Sequence, residues 1–429
     1  GCGGRLTAEG SDQLALVPAA APRRSRPRRT TSLAVEGAAR LPIAQVMVDS
    51  SLPHLDHPFD YLVPESMSAT AVAGARVRVR FAGRLTNGIV VGRIEQPDHE
   101  GDVRPLERVV GTEPVLTADT LPLISSVAER YAGTFSDVVR AAVPPRHARA
   151  DAVRVAPATW RAEADKARRS RWSAYAGGGA LVDRLSNPAV SPTRAVWSSA
   201  PATSWAHDVA ALVLTVVSQP EGGVLVVVPD AADVDRLTTS LAPASQAGVL
   251  ATLTADQGPE RRYREFLRVL RRGARIVVGT RGAVFAPVAD LRLIVVWDDG
   301  DDTLVDPQAP YWDARDVAAL RSHATGCDLV VGSAARSVHS QQWCETGWAR
   351  SIEPTRATLA ARAPLVRALQ ADDAARDEAS AVARIPHQAW EVARAAVREG
   401  PVLVQVGRRG YVPALACQSC RELARCSCG

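Results

Sequence analysis

The stretch Leu291-Arg-Leu-Ile-Val-Val-Trp-Asp-Asp-Gly-Asp-Asp302 is a short apolar run that ends in acidic residues. It has the length of a buried strand, and Val224-Leu-Val-Val-Val228 is a second run of this kind. Around these runs, strand-like and helix-like segments alternate along residues 194–400. Such alternation predicts an α/β domain with a mostly parallel, doubly wound sheet.

The alternating pattern gives explicit bounds for each element. We predict strands at 194–198, 223–228, 249–253, 275–278, 291–297 and 327–331, and helices at 205–219, 230–241, 258–272, 312–324 and 376–398.

A different pattern precedes this domain. In Ala75-Arg-Val-Arg-Val-Arg-Phe81 the valines alternate with arginines, which predicts one buried and one solvated face. Strand-like runs at 43–48 and 88–94 complete a set that predicts a small β-barrel. A helix over 117–143 follows, so this domain is expected to span residues 41–145.

The flanking segments differ in composition. Residues 1–40 are rich in Arg and Pro and are predicted to be a disordered tail. They hold seven arginines against three acidic residues, and so supply most of the chain's net charge of +5. The tail either contacts nucleic-acid phosphates or is simply solvated. Residues 146–193, which are basic and contain Gly, Ser and Pro, are interpreted as a linker.

Composition also limits the class of protein. No apolar run approaches the ~18 residues that span a bilayer, and no signal peptide is recognisable. These features favour a cytoplasmic protein with no membrane partner. Because the chain starts at Gly1 rather than Met, we interpret it as a fragment.

The cysteines are unevenly distributed. Cys417, Cys420, Cys426 and Cys428 lie within the last thirteen residues, 417–429, of a chain that has seven cysteines. Four thiolates at this spacing suit tetrahedral Zn²⁺, whereas a disulfide framework is not expected without a secretory signal. The alternative is a group of reduced cysteines without metal.

Several sequence blocks resemble the primosomal protein N-prime (PriA) family and occur in that family's order. The blocks are Pro58-Phe-Asp-Tyr-Leu-Val-Pro64, Gly74-Ala-Arg-Val-Arg-Val-Arg-Phe81, Gly279-Thr-Arg-Gly-Ala-Val-Phe-Ala-Pro287, Ala309-Pro-Tyr-Trp-Asp-Ala-Arg-Asp-Val317, Gly332-Ser-Ala-Ala-Arg-Ser337 and Gly410-Tyr-Val-Pro-Ala-Leu-Ala-Cys-Gln-Ser-Cys420. The resemblance implies a DNA-binding β-barrel, a RecA-like helicase lobe over 194–400 and the start of a zinc-binding region at 401–429.

In that family the barrel captures the 3′ end of a nascent DNA strand. The resemblance therefore implies DNA-binding positions at Phe59, Asp60, Tyr61 and Gly74. Phe59 would stack on a base, Asp60 would accept a hydrogen bond from the 3′-hydroxyl, and Gly74 would permit close backbone approach. The alternative is that Phe59 and Tyr61 are core residues and that Asp60 begins a turn.

The nucleotide site of the family is altered in this sequence. A phosphate-binding loop needs glycines and a lysine, but the stretch Arg194-Ala-Val-Trp-Ser-Ser-Ala-Pro-Ala-Thr-Ser-Trp205 contains neither, and the single lysine of the chain is Lys166. After the strand at 291–297, Trp297 replaces the Mg²⁺-binding aspartate, and Asp298 and Asp299 form a degenerate Walker B site. The acidic run either binds a divalent ion weakly or is solvated.

The cysteine spacing also departs from the family, which has two residues between the last pair where this chain has one. Either Cys428 is a shifted ligand or the fourth ligand lies beyond Gly429. The resemblance implies Zn²⁺ in the intact protein, whereas ATP binding is not expected.

We therefore predict a nucleoid-associated DNA-binding protein of replication restart that recognises stalled forks or D-loops without helicase activity. Expected partners are forked DNA, nascent 3′ ends, other primosome or helicase-loading proteins and single-stranded DNA-binding protein. One alternative is an ATP-dependent 3′–5′ DNA helicase with an unrecognised nucleotide site. Another is a zinc-dependent interaction protein.

Overall fold

The computed structural model describes residues 36–163, 165–187, 192–244, 248–368 and 385–405. The chain divides into two compact units, Gly1–Ala363 and Pro364–Gly429. This division falls before residue 400, where we had placed the end of the helicase lobe. Both sheets belong to the first unit. The cysteine cluster and nearly all of the arginine-rich tail lie outside the described residues.

Twelve strands form two sheets in the described ranges. The strands are β1 (Ile43–Val48), β2 (Phe59–Leu62), β3 (Arg76–Phe81), β4 (Arg84–Ile94), β5 (Arg108–Val110), β6 (Arg194–Ser198), β7 (Gly223–Val227), β8 (Leu250–Leu253), β9 (Ile276–Gly279), β10 (Leu291–Trp297), β11 (Asp328–Ser333) and β12 (Arg350–Ile352).

The described residues also contain helices. They are α1 (Thr120–Arg130), α2 (Phe135–Ala142), α3 (Ala148–Asp151), α4 (Lys166–Trp172), α5 (Gly178–Ser186), α6 (Trp205–Val217), α7 (Ala231–Leu241), α8 (Pro259–Leu270), α9 (Ala314–Thr325), α10 (Val338–Glu345), α11 (Arg356–Arg362) and, in the second unit, α12 (His387–Ala396). None of the helices in the described ranges combines the length and the apolar character needed to cross a bilayer.

The first sheet is antiparallel, with strand order β2-β1-β4-β3-β5. Its edges are joined because Leu62 of β2 pairs with Pro105, in the segment that leads into β5. The Leu62 N–H donates to the Arg104 carbonyl at 2.9 Å, and the Leu106 N–H donates to the Leu62 carbonyl at 2.9 Å. The sheet therefore closes on itself with two more strands than the three that the sequence predicted.

Alternation along β3 determines which face of this sheet is buried. Val77 and Val79 are buried in the sheet's own core, and Arg76, Arg78 and Arg80 occupy the opposite face. This arrangement follows from the two-residue period of a strand. The predicted division into a buried and a polar face is confirmed.

The predicted single helix over 117–143 is two helices, α1 and α2. Thr134 ends the intervening turn by capping α2, since its hydroxyl accepts a hydrogen bond from the Asp137 N–H at 3.2 Å. The Asp137 carboxylate in turn accepts from the Thr134 N–H at 3.3 Å, which completes a capping box. This local signal competes with the continuous apolar spacing and starts a new helix.

The second sheet is parallel, with strand order β12-β6-β11-β10-β7-β9-β8. All six strands predicted for this region are present, and the four predicted helices before residue 330 begin and end within two residues of their expected bounds. The short elements β12 and α10 were not predicted. Only part of the helix expected over 376–398 is described, as α12.

The segment 146–193 is not the linker that its composition suggested, since it contains α3, α4 and α5. Trp172 at the end of α4 is completely buried, and its indole N–H donates to the Asp208 carbonyl of α6 at 3.1 Å. The Tyr175 hydroxyl donates to the Asp208 carboxylate at 2.9 Å. A few large buried side chains thus anchor a segment whose overall composition is polar.

The two sheets are connected through one hydrophobic core. Met47 and Ile89 of the antiparallel sheet belong to the same buried cluster as Leu225 and Val277 of the parallel sheet, with α1 and α2 between them. A bidentate ion pair joins the Arg271 guanidinium to the Glu113 carboxylate, with a shortest N–O distance of 2.6 Å. The antiparallel domain is therefore held firmly against the parallel domain.

Candidate functional site

An open cleft lies at one end of the antiparallel domain. Its volume is about 460 Å³. The cleft is lined by Phe59, Asp60, Tyr61, Arg80, Phe81, Ala82, Gly83, His99, Asp102 and Arg104. Three predicted DNA-binding residues are thus together in one cleft, where they meet the turn between β3 and β4 and the segment before β5.

Asp60 is held in place by the backbone. Its Oδ2 accepts a hydrogen bond from the Asp98 N–H at 2.7 Å, while Gln45 of β1 donates to the Asp98 carboxylate at 3.0 Å. Among the described residues, no donor is bound to Asp60 Oδ1. One carboxylate oxygen is therefore available to accept a hydrogen bond from a ligand in the cleft.

Aromatic rings form one wall of the cleft. The Phe59 ring lies 4.7 Å from the Phe81 ring in an edge-to-face arrangement, and 4.3 Å from the ring of His57. Phe59 is only half-buried, so it contributes both to the core and to the cleft surface. This geometry accommodates a base against an aromatic surface.

Tyr61 fits the structural alternative more closely. Its side chain is buried, its hydroxyl donates to the Arg80 carbonyl at 3.3 Å, and burial raises the pKa of the phenol. Arg104 acts in the opposite direction on that pKa. Tyr61 therefore supports the wall of the cleft from inside the sheet.

Gly74 lies outside the cleft, before the opposite end of β3. It has φ of +86°, and a Cβ at this position would lie 1.9 Å from the Leu116 carbonyl oxygen. The glycine that does line the cleft is Gly83, with φ of +79° and no atom within 4 Å of such a Cβ. The close approach permitted by Gly74 is to the protein's own backbone.

Two arginines that line the cleft, Arg80 and Arg104, were not predicted as site residues from the sequence. Arg80 forms an ion pair with Glu107 at 2.6 Å, whereas Arg104 has no salt bridge with any described residue. The bridge between Leu62 and Pro105 places Arg104 beside β2. No local motif marks Arg104, because its position depends on how the segment after β4 returns to the sheet.

A second region of interest is the loop between β6 and α6, where a phosphate-binding loop would occur. The Trp205 ring, at the start of α6, stacks on Trp297, at the end of β10, with centroids 4.7 Å apart and planes 10° from parallel. Trp297 also lies 5.3 Å from Trp197 of β6. Large indole rings therefore fill the space between this loop and the end of β10.

Several polar groups of the loop are bound within the protein. The Ala200 N–H donates to the Tyr175 hydroxyl oxygen at 3.3 Å, and the Thr203 hydroxyl donates to the Ala200 carbonyl at 2.6 Å. A phosphate cradle instead presents free backbone N–H groups to its ligand. This arrangement stabilises a closed loop.

The two acidic residues after β10 have different environments. Burial, reinforced by Asp301, Asp233 and Asp299, raises the pKa of Asp298, whose φ is +55°. The buried Asp299 carboxylate accepts hydrogen bonds from the hydroxyl of Ser337 at 2.6 Å and from its N–H at 3.3 Å. Asp299 therefore links the end of β10 to the start of α10.

In the part of the chain that the structure describes, no three or more His, Cys, Asp or Glu side chains lie close enough together to hold a metal ion. The four candidate zinc ligands, Cys417, Cys420, Cys426 and Cys428, lie outside those residues. Their prediction rests on the preference of Zn²⁺ for thiolates.

The comparison with protein families concerns the antiparallel domain. Residues 45–144 match the family described as the 3′ DNA-binding domain (3′BD) of PriA. The match includes the antiparallel sheet, the cleft, α1 and α2.

Curated relatives match a longer part of the chain. The probable replication restart protein PriA of Mycobacterium tuberculosis (strain H37Rv) is 44% identical over 379 residues, which are 88% of this chain and 57% of the relative. The protein of the same name from Mycobacterium leprae is 43% identical over 384 residues, which are 88% of this chain and 58% of the relative. The chain thus spans little more than half the length of these relatives.

Likeness to solved structures is weaker. The Pyrococcus furiosus Hef helicase domain shares 13% sequence identity with a TM-score of 0.32, and covers 44% of this chain and 40% of its own. That TM-score is too low to support a conclusion. On the sequence matches, this chain is a relative of the replication restart proteins PriA and contains a 3′ DNA-binding domain of the PriA type.

Proposed function

We propose that this chain binds the 3′ ends of nascent DNA strands at stalled forks or D-loops, and that it serves primosome assembly without unwinding DNA. The observation that carries the proposal is the cleft that combines Asp60 with aromatic and cationic side chains. A DNA 3′ end offers the three matching groups: a hydroxyl donor, a base and a phosphate.

The chemistry of the cleft suits these three groups. Asp60 Oδ1 is a free acceptor for the 3′-hydroxyl, and the aromatic wall at Phe59 suits a base. Arg104, which has no carboxylate partner among the described residues, suits the terminal phosphodiester. An anionic group on the 3′ oxygen would instead be repelled by Asp60.

The second part of the proposal is that ATP hydrolysis plays no role. Phosphoryl transfer requires a phosphate cradle, a lysine and carboxylates that hold Mg²⁺. Here stacked indoles fill the space beside the β6–α6 loop, and Asp299 is bound to Ser337. These contacts support a DNA-binding role on a helicase-like frame.

We further propose that other primosome or helicase-loading proteins and single-stranded DNA-binding protein are partners of the intact protein. Its cysteine cluster would hold Zn²⁺ with a structural role, through Cys417, Cys420 and Cys426 with Cys428 or a later ligand. DNA binding by the cleft uses none of these residues.

The test compares forks that differ only at the nascent 3′ end. We expect the chain to bind a fork with a 3′-hydroxyl about tenfold or more tightly than one with a 3′-phosphate, since the Asp60 acceptor loses its donor and faces a like charge. Fluorescence anisotropy competition measures the ratio. Equal affinities would contradict end recognition.

The same titrations in the presence of Mg²⁺ and ATP test the proposal that ATP hydrolysis plays no role. We expect unchanged fork affinity and no DNA-stimulated phosphate release. A protein of the relatives' length with the same residues in the β6–α6 loop is the control, because this chain spans only part of that length. Robust fork-stimulated hydrolysis by that protein would instead favour the helicase alternative.

A further inference from the structure

The outer face of β3 carries cationic side chains that the end-binding cleft leaves unused. Arg78 pairs in register with Asn87 of β4 on one side and with Arg108 of β5 on the other. Directly paired residues of adjacent strands share a face. We call Arg78, Asn87 and Arg108 the arginine face.

The two arginines of this face have no carboxylate partner among the described residues. Arg78 donates to the Asn87 side-chain oxygen at 3.0 Å, and Arg108 is exposed and forms no salt bridge. Arg80, the next outward residue of β3, is instead neutralised by Glu107 at 2.6 Å. The unpaired charge is therefore concentrated at Arg78 and Arg108.

This concentration of charge opposes folding. Like charges directly across an antiparallel pair destabilise a sheet. The core of the domain does not require them, because Val77 and Val79 supply the buried side of β3. A bound polyanion would relieve the repulsion between Arg78 and Arg108.

The arginine face lies between two clefts. Arg80, two residues and so about 7 Å along β3 from Arg78, lines the end-binding cleft. In the other direction, Arg76 and Asn87 line a second cleft of about 530 Å³ between the sheet and α2, together with Arg140 and Arg146. A chain that runs from the first cleft towards the second would therefore pass over Arg78.

We propose that the arginine face binds the phosphodiester backbone of the DNA that adjoins the 3′-terminal nucleotide. This inference rests on the proposed function, because it takes the first cleft as the site of the 3′ end. Guanidinium groups bind phosphates strongly, and such contacts do not depend on base sequence. The face would thus supply affinity while the cleft supplies end recognition.

The experiment uses the full chain and the double variant Arg78→Gln/Arg108→Gln. The probes are single strands of about 4 and about 16 nucleotides, and a duplex of the longer strand, all with the same 3′-hydroxyl end. Affinity is measured by anisotropy between about 50 and about 200 mM salt. Arg350→Gln/Arg356→Gln, at two exposed residues of β12 and α11 outside this face, is the matched control for charge.

We expect the wild type and the control Arg350→Gln/Arg356→Gln to bind the long probes more tightly than the short one, and Arg78→Gln/Arg108→Gln to lose most of that gain. Each lost phosphate contact lowers the slope of log affinity against log salt by about 0.7 to 0.9. If affinity increases with length only for single-stranded DNA, or only for duplex DNA, the proposal is supported and the arginine face is assigned to that form of DNA.

The proposal is overturned if the double variant Arg78→Gln/Arg108→Gln, which should melt cooperatively at a temperature no lower than the wild type, keeps the wild-type slope and length dependence. Asp60→Ala separates this failure from failure of the proposed function, since it should lose 3′-end preference and keep the slope. If the wild type showed an arginine-dependent slope but no end preference, the proposed function would fail and the backbone site would stand.

Discussion

Two glycines with positive φ distinguish a packed position from an open one in the same domain. Gly74 and Gly83 have φ of +86° and +79°, but only Gly74 faces another backbone group, the Leu116 carbonyl. The sequence motif drew attention to Gly74 as a ligand contact. The structure gives it a packing contact, and places Gly83 in the cleft.

The pair provides a prediction about stability. Gly74→Ala should lower the free energy of unfolding by about 2–4 kcal/mol, because a left-handed backbone and a steric overlap add. Gly83→Ala meets the same backbone cost without the overlap, and should lose about 1 kcal/mol. Urea denaturation of both variants checks this, and equal losses would show that the Leu116 contact does not matter.

At the scale of elements, aromatic packing holds the β6–α6 loop against the end of β10. Trp205 and Trp297 stack, and Trp197 and Trp172 extend the cluster beneath them. Tryptophan is therefore a structural substitute at a position where the family resemblance leads us to expect an aspartate.

Trp297→Ala should lower the free energy of unfolding by about 3–5 kcal/mol, the usual cost of removing a buried aromatic side chain. Trp297→Asp should be destabilised as well, and should not acquire ATP binding, because the loop still lacks a lysine and glycines. Thermal melting and titration with a fluorescent ATP analogue measure the two effects. Tight nucleotide binding by Trp297→Asp would refute our view of the loop.

The parallel sheet was predictable because each of its predicted strands is a continuous apolar run, and segments with a helical pattern separate these runs. The helices within residues 146–193 were not predictable in this way, because their burial depends on isolated residues such as Trp172 within a basic, glycine-containing segment. In the cleft, Phe59 and Asp60 belong to a contiguous motif that the sequence displays. Arg104 reaches the same cleft through tertiary folding alone, which leaves no local pattern.

At the scale of the whole molecule, the DNA-binding domain and the parallel domain are joined by specific polar contacts around their common core. Arg271 binds Glu113, and the Tyr131 hydroxyl donates to Asp316 of α9 at 3.0 Å. Burial raises the pKa of Tyr131 to about 12, so the phenol remains a donor at neutral pH. The cleft that contains Asp60 is therefore presented from a fixed platform.

Arg271 and Arg272 offer a matched test of this junction. Arg271→Ala removes a largely buried ion pair and should cost about 2–4 kcal/mol in the free energy of unfolding. Arg272→Ala removes only the exposed pair with Asp290 at 3.3 Å, and should cost about 0.5 kcal/mol or less. Chemical denaturation distinguishes them, and similar losses would mean that the Glu113 contact adds little.

The most direct test of the account is a cycle that combines Asp60→Ala with a change at the DNA end. Affinities of the wild type and the variant are measured for otherwise identical forks that carry a 3′-hydroxyl or a 3′-phosphate. We predict that the wild type prefers the hydroxyl by about tenfold or more and that the variant loses this preference, a coupling of about 1–3 kcal/mol. A preference that persists unchanged in Asp60→Ala would contradict recognition of the 3′ end by this cleft.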